Sequence, residues 1–219
     1  VREAREAGID LDAEFDAALD PVAPIPGGGR LIIEPTAALV AVDVDAADRK
    51  GAGGAKFAAD LNKAAAREAA RQIRLRNIGG VVAIDFLPSR KKAEQSQLLE
   101  AVKAAFRKDP AKIDVAPPSR FAIVELARQR LGRSLAEIML DADRRATAET
   151  RALAALRALE REGRAQRARQ LALRVAPDIM AFLDEAPFAW KAAMAERLGP
   201  RFSVAAGELA HGQFEVSQP

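Results

Sequence analysis

At 219 residues, with 49% hydrophobic and 30% charged side chains, the chain is long enough for one domain or two small ones around a real core, and its composition is that of a soluble globular protein. Its 34 Lys and Arg against 31 Asp and Glu leave a formal charge of +3 and a pI near 9.4; the basic excess is small but Arg-rich and clustered, which favours a polyanionic partner over an acidic one. The absence of cysteine excludes disulfides and thiolate metal sites and makes a reducing, cytoplasmic compartment the natural expectation; no apolar stretch reaches the ~18 residues that span a bilayer, no secretory signal opens the chain, and the start at Val1 reads as a fragment.

In chain order, residues 1–20 read as a short amphipathic helix, with Leu11, Phe15, Ala18 and Leu19 spaced for one face. The stretch DPVAPIPGGGR then breaks regular structure with its prolines and glycines. Two strands follow, LIIE and ALVAVDVD, and then a loop, KGAGG, at residues 50–54. Residues 57–76 predict a helix with Leu61, Ala65, Ala69 and Ile73 on its apolar face. GGVVAIDF reads as a strand after a Gly-Gly stop. Residues 90–107 predict a second helix through Leu98, Val102 and Phe106, and KIDVA and RFAIVELA read as two more strands. Strands alternating with helices up to about residue 133 argue for a layered α/β unit. Residues 134–169 are rich in Ala, Arg and Glu and predict mostly helix. LALRVAP, RFSVAAG and GQFEVS are strand-like, and DIMAFLDE and FAWKAAMAERLG helical, which makes a small separate α+β unit. No repeat recurs at a fixed period. The expected division is an upstream end and linker at 1–29, a subdomain of mixed α/β (α+β) class at 30–135, a helical linker at 136–169 and the small α+β domain at 170–219.

Two acids close the strand ALVAVDVD. Side chains alternate faces along a strand, so Val40, Val42 and Val44 share one face while Ala41, Asp43 and Asp45 share the other. Asp85 closes the comparable run VVAIDF and lies beside them if the strands pair. Burying such charges alone is costly, but clustered carboxylates at strand ends suit a hard cation with oxygen ligands, above all Mg²⁺ or Mn²⁺. The competing reading is that each Asp starts a turn or caps a helix.

Arginines form the second pattern. Lys63, Arg67, Arg71 and Arg74 recur at helical spacing opposite the apolar face and Arg76 follows, while Arg120, Arg128, Arg130 and Arg133 lie in SRFAIVELARQRLGR. Guanidinium forks match phosphate oxygens, so these stripes suit a nucleic-acid backbone; the competing reading is a solvated face with ordinary ion pairs. There is no Tyr and a single Trp, and Phe57, Phe86 and Phe121 are expected in the core, so recognition by base stacking is expected to be weak.

PIPGGGRLIIEPTAALVAVDVDAAD, AAAREAARQIRLRNIGGVVAIDF and PPSRFAIVELARQRL together resemble the ribonuclease E/G family, densely over residues 20–135 and more loosely over 170–216. The resemblance implies a DNase I-like layered catalytic subdomain and endonucleolytic cleavage of single-stranded, A/U-rich RNA to leave a 5′-phosphate and a 3′-hydroxyl. It implies Mg²⁺ held by Asp43 and Asp85. The family's neighbouring Asn falls on Asp45, an added carboxylate that would either help hold the metal or repel the scissile phosphate. The family's Asn in the following helix matches Asn62, and the Arg of its Ser-Arg-Phe matches Arg120. Residues 1–20 resemble only the helix before the catalytic part, so the family's S1 domain and 5′ sensor are not represented. The family's Cys-Pro-x-Cys zinc link has no counterpart in SLAEIMLDADRRATAETRA, so no zinc is expected and a homodimer would use the small domain or another surface.

The resulting expectation is a Mg²⁺-dependent endoribonuclease with Asp43 and Asp85 catalytic, Asp45 as a further metal ligand, and Arg120, Asn62, Arg71, Arg74, Arg128 and Arg130 binding RNA. The alternative is a non-catalytic RNA-binding or assembly module, favoured if Asp45 turns away or pairs with an arginine. A DNA nuclease on the same scaffold is a weaker rival. His211, the only histidine, is expected at the surface.

Overall fold

The computed structural model describes residues 9–47, 54–88 and 91–218, and divides the chain into two compact units, residues 1–138 and 139–219. The first unit opens with α1 (Leu11–Leu19), capped by Asp10, whose carboxylate accepts from the backbone of Asp12 and Ala13. Of the face read from the sequence, Ala18 is buried while Leu11 stays exposed. A mixed six-stranded sheet follows, built from β1 (Val22–Pro24), β2 (Arg30–Pro35), β3 (Val40–Asp45), β4 (Gly80–Asp85), β5 (Ile113–Val115) and β6 (Ile123–Arg128), in the order β1-β2-β3-β4-β6-β5. Only β3 and β4 run parallel; every other neighbouring pair is antiparallel. β1 lies in the stretch expected to be irregular. Pro24 sits at the end of this edge strand, where a missing N–H costs no ladder bond.

The parallel pair needs a crossover, and α2 (Gly54–Leu75) supplies it, with α3 (Lys92–Phe106) following β4. Leu61, Ala65, Ala69 and Ile73 of α2 and Leu98, Val102 and Phe106 of α3 form one core with Leu31, Ile33, Val42, Val44, Val82, Ile84, Val124 and Leu126 of the strands. The helices thus cover one face of the sheet. Strand alternation sends Asp43, Val81, Asp85, Glu125 and Ala127 to the opposite face, where all five are exposed. The loop expected at 50–54 lies outside the described residues up to position 53, and Gly54 already belongs to α2.

α4 (Leu135–Met139) spans the division. The second unit holds α5 (Ala148–Ala165), β7 (Leu171–Val175), α6 (Pro177–Glu185), α7 (Trp190–Leu198), β8 (Phe202–Ala206) and β9 (Phe214–Ser217). β7 is central, parallel to β8 and antiparallel to β9. Leu171, Leu173 and Val175 pack with Ile179, Leu183, Trp190, Met194 and Leu198, and the Trp190 indole N–H donates to the Leu183 carbonyl at 2.7 Å. Ala152, Ala155 and Leu159 of α5 belong to the same core. The helix read as a linker is therefore part of the second unit, because its small residues give it an apolar stripe that must be buried. His211 is exposed, beside Asp178 at 3.5 Å. Among the described residues no helix is long and apolar enough to cross a membrane.

Candidate functional site

The parallel register brings Asp43 opposite Asp85. Adjacent strands lie roughly 4.8 Å apart, so two carboxylates rise side by side from the C-terminal ends of β3 and β4, on the face the helices leave uncovered. Both are exposed. Ile32 flanks the pair on β2 and Ile123 on β6, completing one row across the sheet.

Asp45, one side-chain period further along, is held by an arginine. Antiparallel pairing places Arg30 opposite it, and the Arg30 guanidinium grips Asp45 Oδ2 through Nε at 2.9 Å and Nη2 at 2.8 Å. Asp45 Oδ1 accepts from the Ala47 N–H at 2.9 Å. Among the described residues no three Asp, Glu, His or Cys side chains converge on one point, so the expected three-carboxylate cluster of Asp43, Asp45 and Asp85 does not form, and the sheet end carries Asp43 and Asp85 side by side. The pairing of Arg30 with Asp45 depends on the glycine turn before β2. Gly29 has φ +82°, and a Cβ there would stand 2.8 Å from the Asp45 carbonyl oxygen.

Asn62 sits at this end too, but inside the protein. It is 4% exposed, and its amide donates to the Leu87 carbonyl at 2.9 Å and accepts from the Leu87 N–H at 3.0 Å. Both halves of the amide are used in clamping the chain two residues beyond Asp85. Asn62, expected to contact RNA, thus spends its amide inside the protein.

Arg120 completes the group. The Ser119 N–H donates to the Ile123 carbonyl at 2.8 Å, and Ile123 pairs with Asp85. The turn before β6 therefore stands next to the carboxylates, with Arg120 exposed on it and its guanidinium 4.5 Å from the Phe121 ring centre. Phe121 is 64% exposed, whereas Phe86 is buried and Phe57 packs against the core. The core position expected for Phe121 is not what the fold provides.

The other predicted arginines gather elsewhere. α2 returns antiparallel to the strands it connects, so at ~1.5 Å per residue Arg71 lies about 13 Å below Asn62, toward the start of β4. Arg71 forks onto the buried carboxylate of Glu68 at 2.7–3.0 Å, and that hydrogen bond raises its pKa above the ordinary arginine value. Arg74 donates to the Ala105 carbonyl in the last turn of α3. Arg76 is buried against Gln72, and burial pushes its guanidinium down. Arg128, expected to bind RNA, lies buried instead. Its side chain is 2% exposed, bound to Asp109 through Nε and Nη2 at 3.1–3.2 Å and donating from Nη1 to the Ile78 carbonyl at 2.9 Å. Arg130 is exposed but packs over Gly79 and Gly80, at the far end of β4. Arg30 escaped the sequence reading, although counting back from the hairpin turn at Thr36–Leu39 sets it opposite Asp45.

Comparison with known proteins places these residues in a wider group. The Ribonuclease E/G family matches over residues 5–131. Ribonuclease E of Nostoc sp. is 38% identical over 132 residues, 60% of this chain and 19% of that protein. Ribonuclease E of Synechocystis sp. is 39% identical over 129 residues, 58% of this chain and 19% of that protein. Ribonuclease E of Escherichia coli is 35% identical over 128 residues, 58% of this chain and 12% of that protein. These alignments span less than a fifth of the relatives' length, and the family match covers the sheet that carries Asp43 and Asp85.

Proposed function

The chain belongs to the Ribonuclease E/G family, and from that premise we propose that it is the catalytic part of a divalent-metal-dependent endoribonuclease, cleaving single-stranded RNA to leave 5′-phosphate and 3′-hydroxyl ends. The observation that carries this reading is the register of Asp43 with Asp85 on the open face of the sheet. The donor set fits Mg²⁺ or Mn²⁺: hard oxygens, two carboxylates, and enough exposure for the ion to keep waters and meet a substrate phosphate. Such an ion, when bound, would lower the pKa of the attacking water and offset charge on the phosphoryl oxygens. The protein's own part is positional. Asp43 and Asp85 hold the ion, and Asn62 fixes the chain beyond Asp85. Arg30 neutralises the additional carboxylate of Asp45, which would otherwise repel the scissile phosphate, and Arg120 reaches the RNA backbone from the neighbouring turn.

The test is cleavage of a 5′-labelled A/U-rich single-stranded RNA at low salt with Mg²⁺, Mn²⁺ or EDTA. Wild type should cleave with either metal, while EDTA, Asp43→Asn or Asp85→Asn should abolish cleavage in a protein that still folds. Cleavage by both variants at the wild-type rate would sink the proposal. The pairing of Asp45 with Arg30 takes the third expected carboxylate out of the metal site, which is the observation behind the second reading, a non-catalytic RNA-binding module. Its signature would be RNA retained in a shift assay with no cleavage under any of these conditions.

A further inference from the structure

We propose that the turn Ser119–Ala122 is a stacking clamp for one nucleobase of the bound strand, with Phe121 as its platform. This rests on the RNA reading of the same site and extends it from phosphate contacts to base contacts.

Phe121 is the most exposed large apolar side chain among the described residues, at 64%. Its exposure is built into the turn. The Ser119 hydroxyl accepts from the Phe121 N–H at 3.2 Å, the Ala122 N–H donates to the Ser119 carbonyl at 3.0 Å, and Ala122 is held at φ +69°. A non-glycine residue in the left-handed region is uncommon and persists where its surroundings enforce it. The backbone thus turns sharply at Ala122, which is 2% exposed and anchors the turn, while the ring of Phe121 is carried outward. The bonded turn holds this apolar ring in water, where covering it with another flat apolar surface would be favourable.

Position selects the occupant. Ile123 pairs with Asp85 at a Cα separation of roughly 5 Å, and two further residues span at most ~7 Å, so the Phe121 backbone lies within roughly 12 Å of Asp85. A strand presenting a phosphate to Asp43 and Asp85 therefore runs past the ring. One ring face carries the Arg120 guanidinium at 4.5 Å, a cation–π contact that orders both side chains and sets a positive charge where the backbone passes. The other face is left for a base. Every base has a π face, so the clamp accepts any sequence, but it requires a base free of a duplex, which selects single strands.

The test measures affinity in EDTA, which separates binding from cleavage. The probes are a short single-stranded A/U oligoribonucleotide and an abasic oligomer of the same sugar–phosphate length. Wild type should prefer the base-bearing strand by about five- to hundredfold, the range for one stacked base. Phe121→Ala and Phe121→Leu should lose that preference at unchanged thermal stability, and Phe121→Trp should keep it. Trp190 is buried, so quenching in Phe121→Trp on addition of the base-bearing strand alone reports contact at position 121. Arg120→Ala should weaken both probes, through the lost phosphate contact. Phe121→Ala binding both probes as wild type does would overturn the clamp, as would equal loss for both probes or altered self-association without altered RNA affinity. If wild type binds neither probe, the RNA reading fails and the clamp with it. If Phe121→Ala loses base preference while no condition gives cleavage, the nuclease reading fails and the clamp stands.

Discussion

Arg30 and Asp45 face each other across β2 and β3, two register positions beyond Asp43, one of the carboxylates proposed to hold the ion. If Arg30 acts by cancelling the charge of Asp45, its worth should depend on that charge. Arg30→Ala is expected to lower kcat/KM for RNA cleavage by about tenfold, and by less than about twofold when Asp45 is already Asn. Equal losses in the two backgrounds would show that Arg30 acts on something other than Asp45. Asn62 makes a different demand, because both of its hydrogen bonds go to one residue, Leu87. Asn62→Ala leaves the Leu87 N–H and carbonyl without their side-chain partner, which should cost about 1–3 kcal/mol of stability in denaturant unfolding. Since the amide is spent internally, kcat should fall while KM for RNA holds; a raised KM at constant kcat would return Asn62 to the substrate.

The two ends of the first sheet divide their labour. The C-terminal ends of β3 and β4 carry the acids, while the start of β4 carries the knot in which Arg128 of β6 binds Asp109, beyond α3, and the Ile78 carbonyl, beyond α2. Truncating one member of so buried a pair leaves the other charged in a dry environment. Arg128→Ala should therefore destabilise the protein by about 3–5 kcal/mol while leaving RNA affinity per folded molecule unchanged. Weaker RNA binding by folded Arg128→Ala would restore its assignment to the interface. The acid end was legible because alternation is a property of one segment: Val40, Val42 and Val44 against Asp43 and Asp45 state which face is wet. The knot was not, because whether Arg128 is buried depends on Asp109, 19 residues away, and no local pattern carries that. How far the α2 arginine stripe lies from the acids was illegible for a related reason. Its spacing on the helix is a sequence property, but the direction in which the helix returns belongs to the topology. β1 was missed because proline-rich composition suits an edge strand and a loop alike.

Each unit has its own core, so damage to one should leave the other standing. Gly163 on α5 lies against α7, and a Cβ there would approach Leu198 Cδ2 to 2.7 Å and Cδ1 to 3.0 Å. Gly163→Ala is expected to cost about 1–3 kcal/mol by overpacking, seen as faster hydrogen exchange in α5, β7 and α7 only. Arg128→Ala should accelerate exchange in the first unit only, and the two effects should add in the double variant. Loss of protection across both units from either single change would show one cooperative block. The division at residue 138 was half legible. The composition shift near residue 134 marked a change of character, but not that α5 is core rather than connection, since half of its buried stripe is alanine. The sheet of the first unit also ends in a particular way. Its two outermost strands, β1 and β5, are only three residues long, and β1 finishes in Pro24. Its rims thus offer a passing chain little backbone to zip onto, so the sheet can keep one face bare of helices without its edges nucleating aggregates.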